Sequence, residues 1–131
     1  MTAVETDSAA AILEMERAAM VRWGQGDPDG FLEISADEVS YFDPFTERRL
    51  DGKDALRSWY EPFRGKMHID RFDFVEPRVQ ISGDIAVLTY RFHSQGSEGV
   101  MRWNTTEVYR KTPAGWRIVH THWAFHQPKL A

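Results

Sequence analysis

The sequence predicts one α+β domain: a cone-shaped, curved antiparallel sheet wrapped around three N-terminal helices, with a central pocket. Three observations carry this reading. Apolar residues at helical spacing dominate the first half of the chain, alternating residues broken by turn signals dominate the second, and 13% of the 131 residues are aromatic. Helices followed by strands is the α+β order, whereas a parallel sheet alternates the two. Five Trp and eight Phe need a wide interior or an interface to fill. The length matches a single domain, expected over residues 8–131 behind a flexible N-terminal stretch at residues 1–7.

From Ser8 to Trp23 the residues Ile12, Met15, Ala19, Met20 and Trp23 recur at three- and four-residue steps. This predicts an amphipathic helix capped by Asp7 or Ser8 and stopped by Gly24 and Gly26. Asp27-Pro28 then offers an N-cap and a proline in the first turn of a short second helix carrying Phe31, Leu32 and Ser35. Val39 to Phe42 reads as a brief strand ending at Asp43-Pro44, followed by a charged loop whose segment from Phe45 to Leu50 is a candidate lid. Gly52 opens a third helix in which Ala55, Leu56, Trp59, Tyr60 and Phe63 share a face, and Gly65 closes it.

After Gly65 the period changes to two. Met67, Ile69, Phe72, Phe74, Val79 and Ile81 alternate with polar residues, and Pro77 marks a bend or an edge. Three further strands are expected at Ile85–Gln95, Val100–Thr112 and Trp116–Phe125. Their separating turns are Ser82-Gly83-Asp84, Gly96 to Gly99 and Pro113-Ala114-Gly115. Four strands in succession make a meander that curls over the helices.

Composition excludes several function classes. A net charge of −4 without a Lys/Arg run argues against nucleic acid and against an anionic membrane surface. Absence of cysteine removes disulfides, thiolate metal sites and cysteine nucleophiles. Residues 1–8 carry Glu5 and Asp7 without an apolar core, and no apolar run reaches the roughly 20 residues that span a bilayer. The expected location is the cytoplasm. No phosphate loop, nucleotide fingerprint or Ser-His-Asp pattern is present, and no cofactor is expected.

Three phrases resemble the nuclear transport factor 2-like superfamily, which includes SnoaL-like cyclases, ketosteroid isomerases and the association domain of calcium/calmodulin-dependent protein kinase II. They are Gly26-Asp27-Pro28-Asp29-Gly30, then Val39 to Pro44 leading into Asp51 to Leu56, and Thr105 to Arg110 followed by Gly115 to Trp123. The last phrase is the most specific and resembles the kinase association domain. The resemblance covers nearly the whole chain, and this superfold hosts enzymes, binders and assembly modules alike.

Several roles follow from the resemblance. Asp43 stands where the isomerases keep a general base, although Asp-Pro is also ordinary turn chemistry. Glu107 stands where they keep a protonated acid that donates to an oxyanion. Arg91 matches a pocket arginine of the association domain, and a cation beside Glu107 would hold that carboxyl ionised. Ala19 occupies the position of the isomerases' oxyanion tyrosine, so steroid isomerisation is not expected; Tyr41 or Tyr60 is the available substitute.

On the strand parity that the resemblance to the association domain's pocket arginine implies, Trp103, Thr105, Glu107, Thr121 and Trp123 with Arg91 line the sheet side of the pocket, and Leu56, Tyr60 and Phe63 line the helix side. His120 and His122 are expected to share a face with Trp116. An H-x-H pair can hold a metal given a third ligand, but packing is the plainer role, and no metal is expected.

The expected function is binding of a small apolar molecule, with isomerase-, cyclase- or other proton-transfer chemistry on a carbonyl compound. The alternative is a non-catalytic oligomerisation module. Both readings expect a homodimer, and the second a higher oligomer, because Leu88, Tyr90 and Phe92 are expected to leave an apolar outer face.

Overall fold

In a computed structural model the chain is described over residues 1–97 and 99–126; Glu98, in the expected Gly96–Gly99 turn, and residues 127–131 of the expected domain lie outside that description. Helix α1 runs Ala3–Trp23, starting ahead of the expected Ser8. Its cap is Thr2: the Thr2 Oγ1 accepts from Glu5 N at 3.0 Å, and Glu5 Oε1 accepts from Thr2 N at 2.9 Å. This reciprocal box precedes the apolar run, so periodicity alone does not find it. The inner face of α1 buries Ile12, Glu16, Ala19 and Met20.

Helix α2 (Asp29–Glu33) packs beside α1, and strand β1 begins at Ser35 and runs to Phe42, longer than expected. A two-residue strand β2 (Leu50–Asp51) folds back on it, followed by α3 (Lys53–Tyr60) and one 3-10 turn (Glu61–Phe63). Gly26 ties these helical layers together. It sits at φ 83°, its carbonyl accepts from Gly65 N at 2.8 Å, and a Cβ there would stand 2.9 Å from Gly65 Cα.

The meander follows as β3 (Ile69–Ser82), β4 (Ile85–Gly96), β5 (Gly99–Thr112) and β6 (Gly115–Phe125). Sheet order is β2-β1-β6-β5-β4-β3. Strand β1 lies parallel to β6, with Tyr41 opposite Thr121 and Phe42 opposite His122, so the sheet is mixed rather than antiparallel. Adjacent strands in the sequence form the antiparallel part; β1 reaches β6 only through space, which local pattern does not encode.

Of the register shifts in the sheet, two decide where side chains near the site point. In β3 the pairing slips between Val75 and Arg78, where Glu76 takes φ 53° and Pro77 has no N–H to give. In β6 Tyr109 faces Ile118 while Val108 faces His120, which leaves Val119 as the extra residue. An extra residue reverses parity. Trp116 and Ile118 therefore enter the core while His120 and His122 lie on the outer face, where the His rings pack on Phe42. The expected common face of Trp116 with the two histidines is corrected by this bulge.

The concave face of β4 carries Ala86, Leu88, Tyr90, Phe92 and Ser94, all buried within the protomer. Leu88, Tyr90 and Phe92 thus supply no apolar outer face, and the argument for a dimer that rested on them does not hold. Gly26→Ala should lower stability by about 2–4 kcal/mol, because it combines left-handed strain with a backbone clash. Gly83→Ala, also at positive φ but with nothing within 4 Å of the new Cβ, should cost only about 1–2 kcal/mol. Urea midpoints of the two variants check the difference.

Candidate functional site

The wide end of the cone encloses a cavity of about 610 Å³. Its helical wall is Trp23 of α1, Phe31 of α2, Trp59 and Tyr60 of α3 and Phe63 of the following turn, and its sheet wall includes Phe92, Trp103 and Trp123. These rings meet edge to face. Trp103 and Trp123 stand 5.8 Å apart at 86°, Tyr41 and Tyr60 5.6 Å apart at 90°, and Phe92 and Trp123 5.6 Å apart at 84°. Perpendicular rings brace one another at their edges, so the walls hold without filling the space.

Among the described residues Asp43 is the one carboxylate on the cavity wall. Strand β1 delivers it, and the turn beyond fixes it: Oδ1 accepts from Phe45 N at 2.8 Å and Thr46 N at 3.1 Å. Oδ2 accepts from the Tyr41 hydroxyl at 2.9 Å and from Trp59 Nε1 at 2.9 Å. Turn chemistry and a place on the pocket wall are therefore both true of this residue. Four donors fill about four acceptor positions of a carboxylate. Its charge is held in place, but none of its lone pairs is left over.

Beneath the cavity lies a second polar centre, of which sequence reasoning found Glu107 and missed Glu16. Glu16 of α1 and Glu107 of β5 are both fully buried. The Tyr109 hydroxyl donates to Glu16 Oε1 and the Tyr90 hydroxyl to Oε2, each at 2.6 Å. Neither Glu107 oxygen has a partner at hydrogen-bond geometry, yet the carboxyl faces Glu16 and Thr121 closely enough for both to act on its proton affinity. Burial, and then the neighbouring Glu16 charge, push the Glu107 carboxyl well above the usual glutamate range. Burial raises Glu16 too, opposed by the nearby Glu107 carboxyl and by the hydrogen bonds that Tyr109 and Tyr90 donate to it. Of the two, Glu107 is the carboxyl pushed further toward its protonated form, while the tyrosine donors on Glu16 favour the charged form there.

The structure brings together Asp43, Tyr41, Tyr60, Phe63, Trp103 and Trp123 on the cavity wall. Leu56, Thr105 and Thr121 are buried behind it, and Glu107 is sealed under the floor. Arg91 corrects an expectation outright. It lies on the outer face of β4 and pairs with Glu76, across the sheet from Glu107, in a shallow outer depression of about 480 Å³. The alternation along β4 puts Tyr90 and Phe92 inside and Arg91 outside, so Glu107 meets no guanidinium. Trp23, Phe31 and Trp59 complete the wall without having been singled out. For Glu16 a signal existed: it falls four residues after Ile12 and four before Met20, a carboxylate on the apolar stripe of α1.

On the outer face, His120 Nδ1 lies 2.8 Å from Ser40 Oγ, and burial, the neighbouring His122 and Arg49 lower the His120 pKa. The two imidazole centres are 6.4 Å apart, and among the described residues no group of three or more His, Asp or Glu is placed to hold a metal. No helix among the described residues is long and apolar enough to cross a membrane.

A three-helix layer on a curled mixed sheet with a hollow cone defines a nuclear transport factor 2-like pocket protein. The chain belongs to the SnoaL-like domain family, whose model matches residues 14–126. A provisionally named ketosteroid isomerase from Parabacteroides distasonis ATCC 8503 is 39% identical, with a TM-score of 0.80, over 89% of this chain and 86% of that one. An NTF2-like protein of unknown function from Pseudomonas putida KT2440 is 21% identical with a TM-score of 0.81, over 91% of this chain and 87% of the other. The CaMKII hub of S. rosetta is 22% identical with a TM-score of 0.71, over 89% and 98% of the two chains; these last two likenesses show the fold alone. No protein of curated function matches the sequence.

The buried carboxyl pair sets a direction for stability against pH. Glu107 keeps its proton in the folded state at pH values where the unfolded chain has released it, above roughly pH 4.3. The unfolded state then binds fewer protons, so stability is full below that value and falls as pH rises toward the raised folded pKa, by up to about 1.4 kcal/mol per pH unit. Glu107→Gln should flatten this slope between about pH 5 and 8 and raise stability at pH 8 by about 1–3 kcal/mol. Urea unfolding of both proteins across that range is the measurement; an unchanged slope would show that Glu107 ionises normally.

Proposed function

We propose that this protein binds a small, largely apolar organic molecule in the cone. Where turnover follows, it moves a proton next to a carbonyl with Asp43 as the acceptor. The observation that carries the reading is an aromatic-walled cavity of about 610 Å³ with one positioned carboxylate on its wall. That composition, apolar with few polar groups, is the usual one for a small-molecule site. The likeness at 39% identity to a provisionally named ketosteroid isomerase supports proton-transfer chemistry in particular.

In this proposal Tyr41, Tyr60, Phe63, Trp103 and Trp123 contact the ligand. Leu56, Thr105 and Thr121 form the layer behind them. Glu107 is a positioning residue, because the floor separates it from the cavity. Arg91 has no part in binding. Asp43 accepts a proton only if Tyr41 or Trp59 yields its place on Oδ2, which makes the ligand's own arrival the event that frees the base.

A non-catalytic oligomerisation module is the second reading; it draws on the hub-like fold and predicts species larger than a dimer in sedimentation velocity.

Two outcomes are expected. Met101→Trp, which adds an indole to the cavity wall, should weaken binding of 2-acetylnaphthalene by about tenfold or more, read by tryptophan fluorescence. With any carbonyl compound that is turned over, Asp43→Asn should reduce kcat by about 100-fold or more, the usual size of a general-base contribution. An unchanged kcat would remove Asp43 as the base.

A further inference from the structure

The charges of the cone are one-sided. Asp43 is on the cavity wall, and the buried Glu16–Glu107 carboxyl pair lies outside the lining, with Tyr90 and Tyr109 donating to Glu16. No ion pair among the described residues includes Asp43, Glu16 or Glu107. The arginines of the helices and sheet point elsewhere: Arg22 pairs with Asp27 and Glu33, Arg64 with Asp29 and Glu61, Arg91 with Glu76 and Arg110 with Glu38. Lys66 and His68 reach the cavity only from its solvent-exposed rim. Among the described residues, a low-dielectric space with a carboxylate on its wall and cationic side chains only at its exposed rim favours a positive ligand.

The walls point the same way. Trp23, Trp59, Tyr60, Trp103 and Trp123 surround the space, and the faces of such rings attract cations. Tyr41 and Trp59 also hold Asp43 from two sides through hydrogen bonds, which orients an aromatic corner around the carboxylate. The filled lone pairs of Asp43 then decide which cation. A primary ammonium brings N–H donors that find no vacant acceptor on this carboxylate and would have to be stripped of water without replacement. A methylated ammonium brings charge and apolar surface with few or no such donors.

Resting on the small-molecule reading above, we infer that the ligand carries an organic cation, a tertiary or quaternary ammonium, seated between the aromatic walls and the charge of Asp43. Recognition is by charge and ring faces rather than by hydrogen bonds to the nitrogen.

The test compares benzyltrimethylammonium with neopentylbenzene, which has the same shape with carbon in place of the charged nitrogen. Binding is followed by NMR shifts of the indole N–H signals, with Trp116, buried away from the cavity, as the internal reference. Wild type should bind the cation about tenfold or more tightly than its neutral isostere. Asp43→Asn should bring the two affinities to within about twofold by weakening the cation alone.

Equal or tighter binding of neopentylbenzene overturns the cation inference and leaves the pocket reading standing. If neither compound moves the cavity indoles, the pocket reading falls with it. A preference that survives in Asp43→Asn removes Asp43 from recognition. The wild-type comparison decides the ligand's charge even if that variant does not fold.

Discussion

Helix α1 can lie inside the concave sheet because Glu16, the one carboxylate on its inner face, finds two tyrosine hydroxyls there. A buried carboxylate without donors would cost several kcal/mol, enough to prise the helix from the sheet. Tyr90 on β4 and Tyr109 on β5 lie on neighbouring strands, so the two bonds also hold those strands at a fixed distance beneath the helix. Glu107, two residues before Tyr109 on the same face of β5, is the fourth member, its carboxyl pushed toward the protonated form by burial and by Glu16. Everything else in the cone is arranged around this polar floor.

Above the floor the space remains open for a geometric reason. The Glu76–Pro77 bulge breaks the regular pairing of β3 with β4 and bends that strand, as bulges do. Helix α3 and its following turn then cover the wide end with Trp59, Tyr60 and Phe63 rather than with aliphatic side chains that could collapse inward. Trp23 lies against both Tyr60 and Phe63, at 4.9 and 5.8 Å, so rings of α1 and α3 support each other across the opening. The cavity is an outcome of stiffness as much as of volume.

Much of this was legible in the sequence, for local reasons. The period-3.6 runs, the change to period two after Gly65 and the glycine-marked turns placed every helix and the four meander strands within a few residues. Tyr60 follows from helix periodicity, whereas Asp43, Trp103 and Trp123 follow from the resemblance, which supplied the position of the base and the inward parity of the strands. The exceptions have equally physical causes. Val119 bulges and reverses the parity between Trp116 and His120, and a single inserted residue has no mark in the pattern. Arg91 was assigned by resemblance to the pocket, but its neighbours Tyr90 and Phe92 take the inner face. Glu16 was passed over because one acidic residue on an apolar stripe reads as noise until its partners, 74 and 93 residues away, are seen.

The sequence by itself determined the cone: its α+β order, its aromatic walls and the carboxylate at the end of the first strand, since propensity, period and turn chemistry act over a few residues. Only the tertiary structure decided that β1 runs parallel to β6, that Glu107 faces a second glutamate instead of an arginine, and that Asp43 has all its acceptor positions filled. Those are pairings between distant segments. Their energies depend on desolvation and on which donors arrive in three dimensions, and neither is written in local spacing.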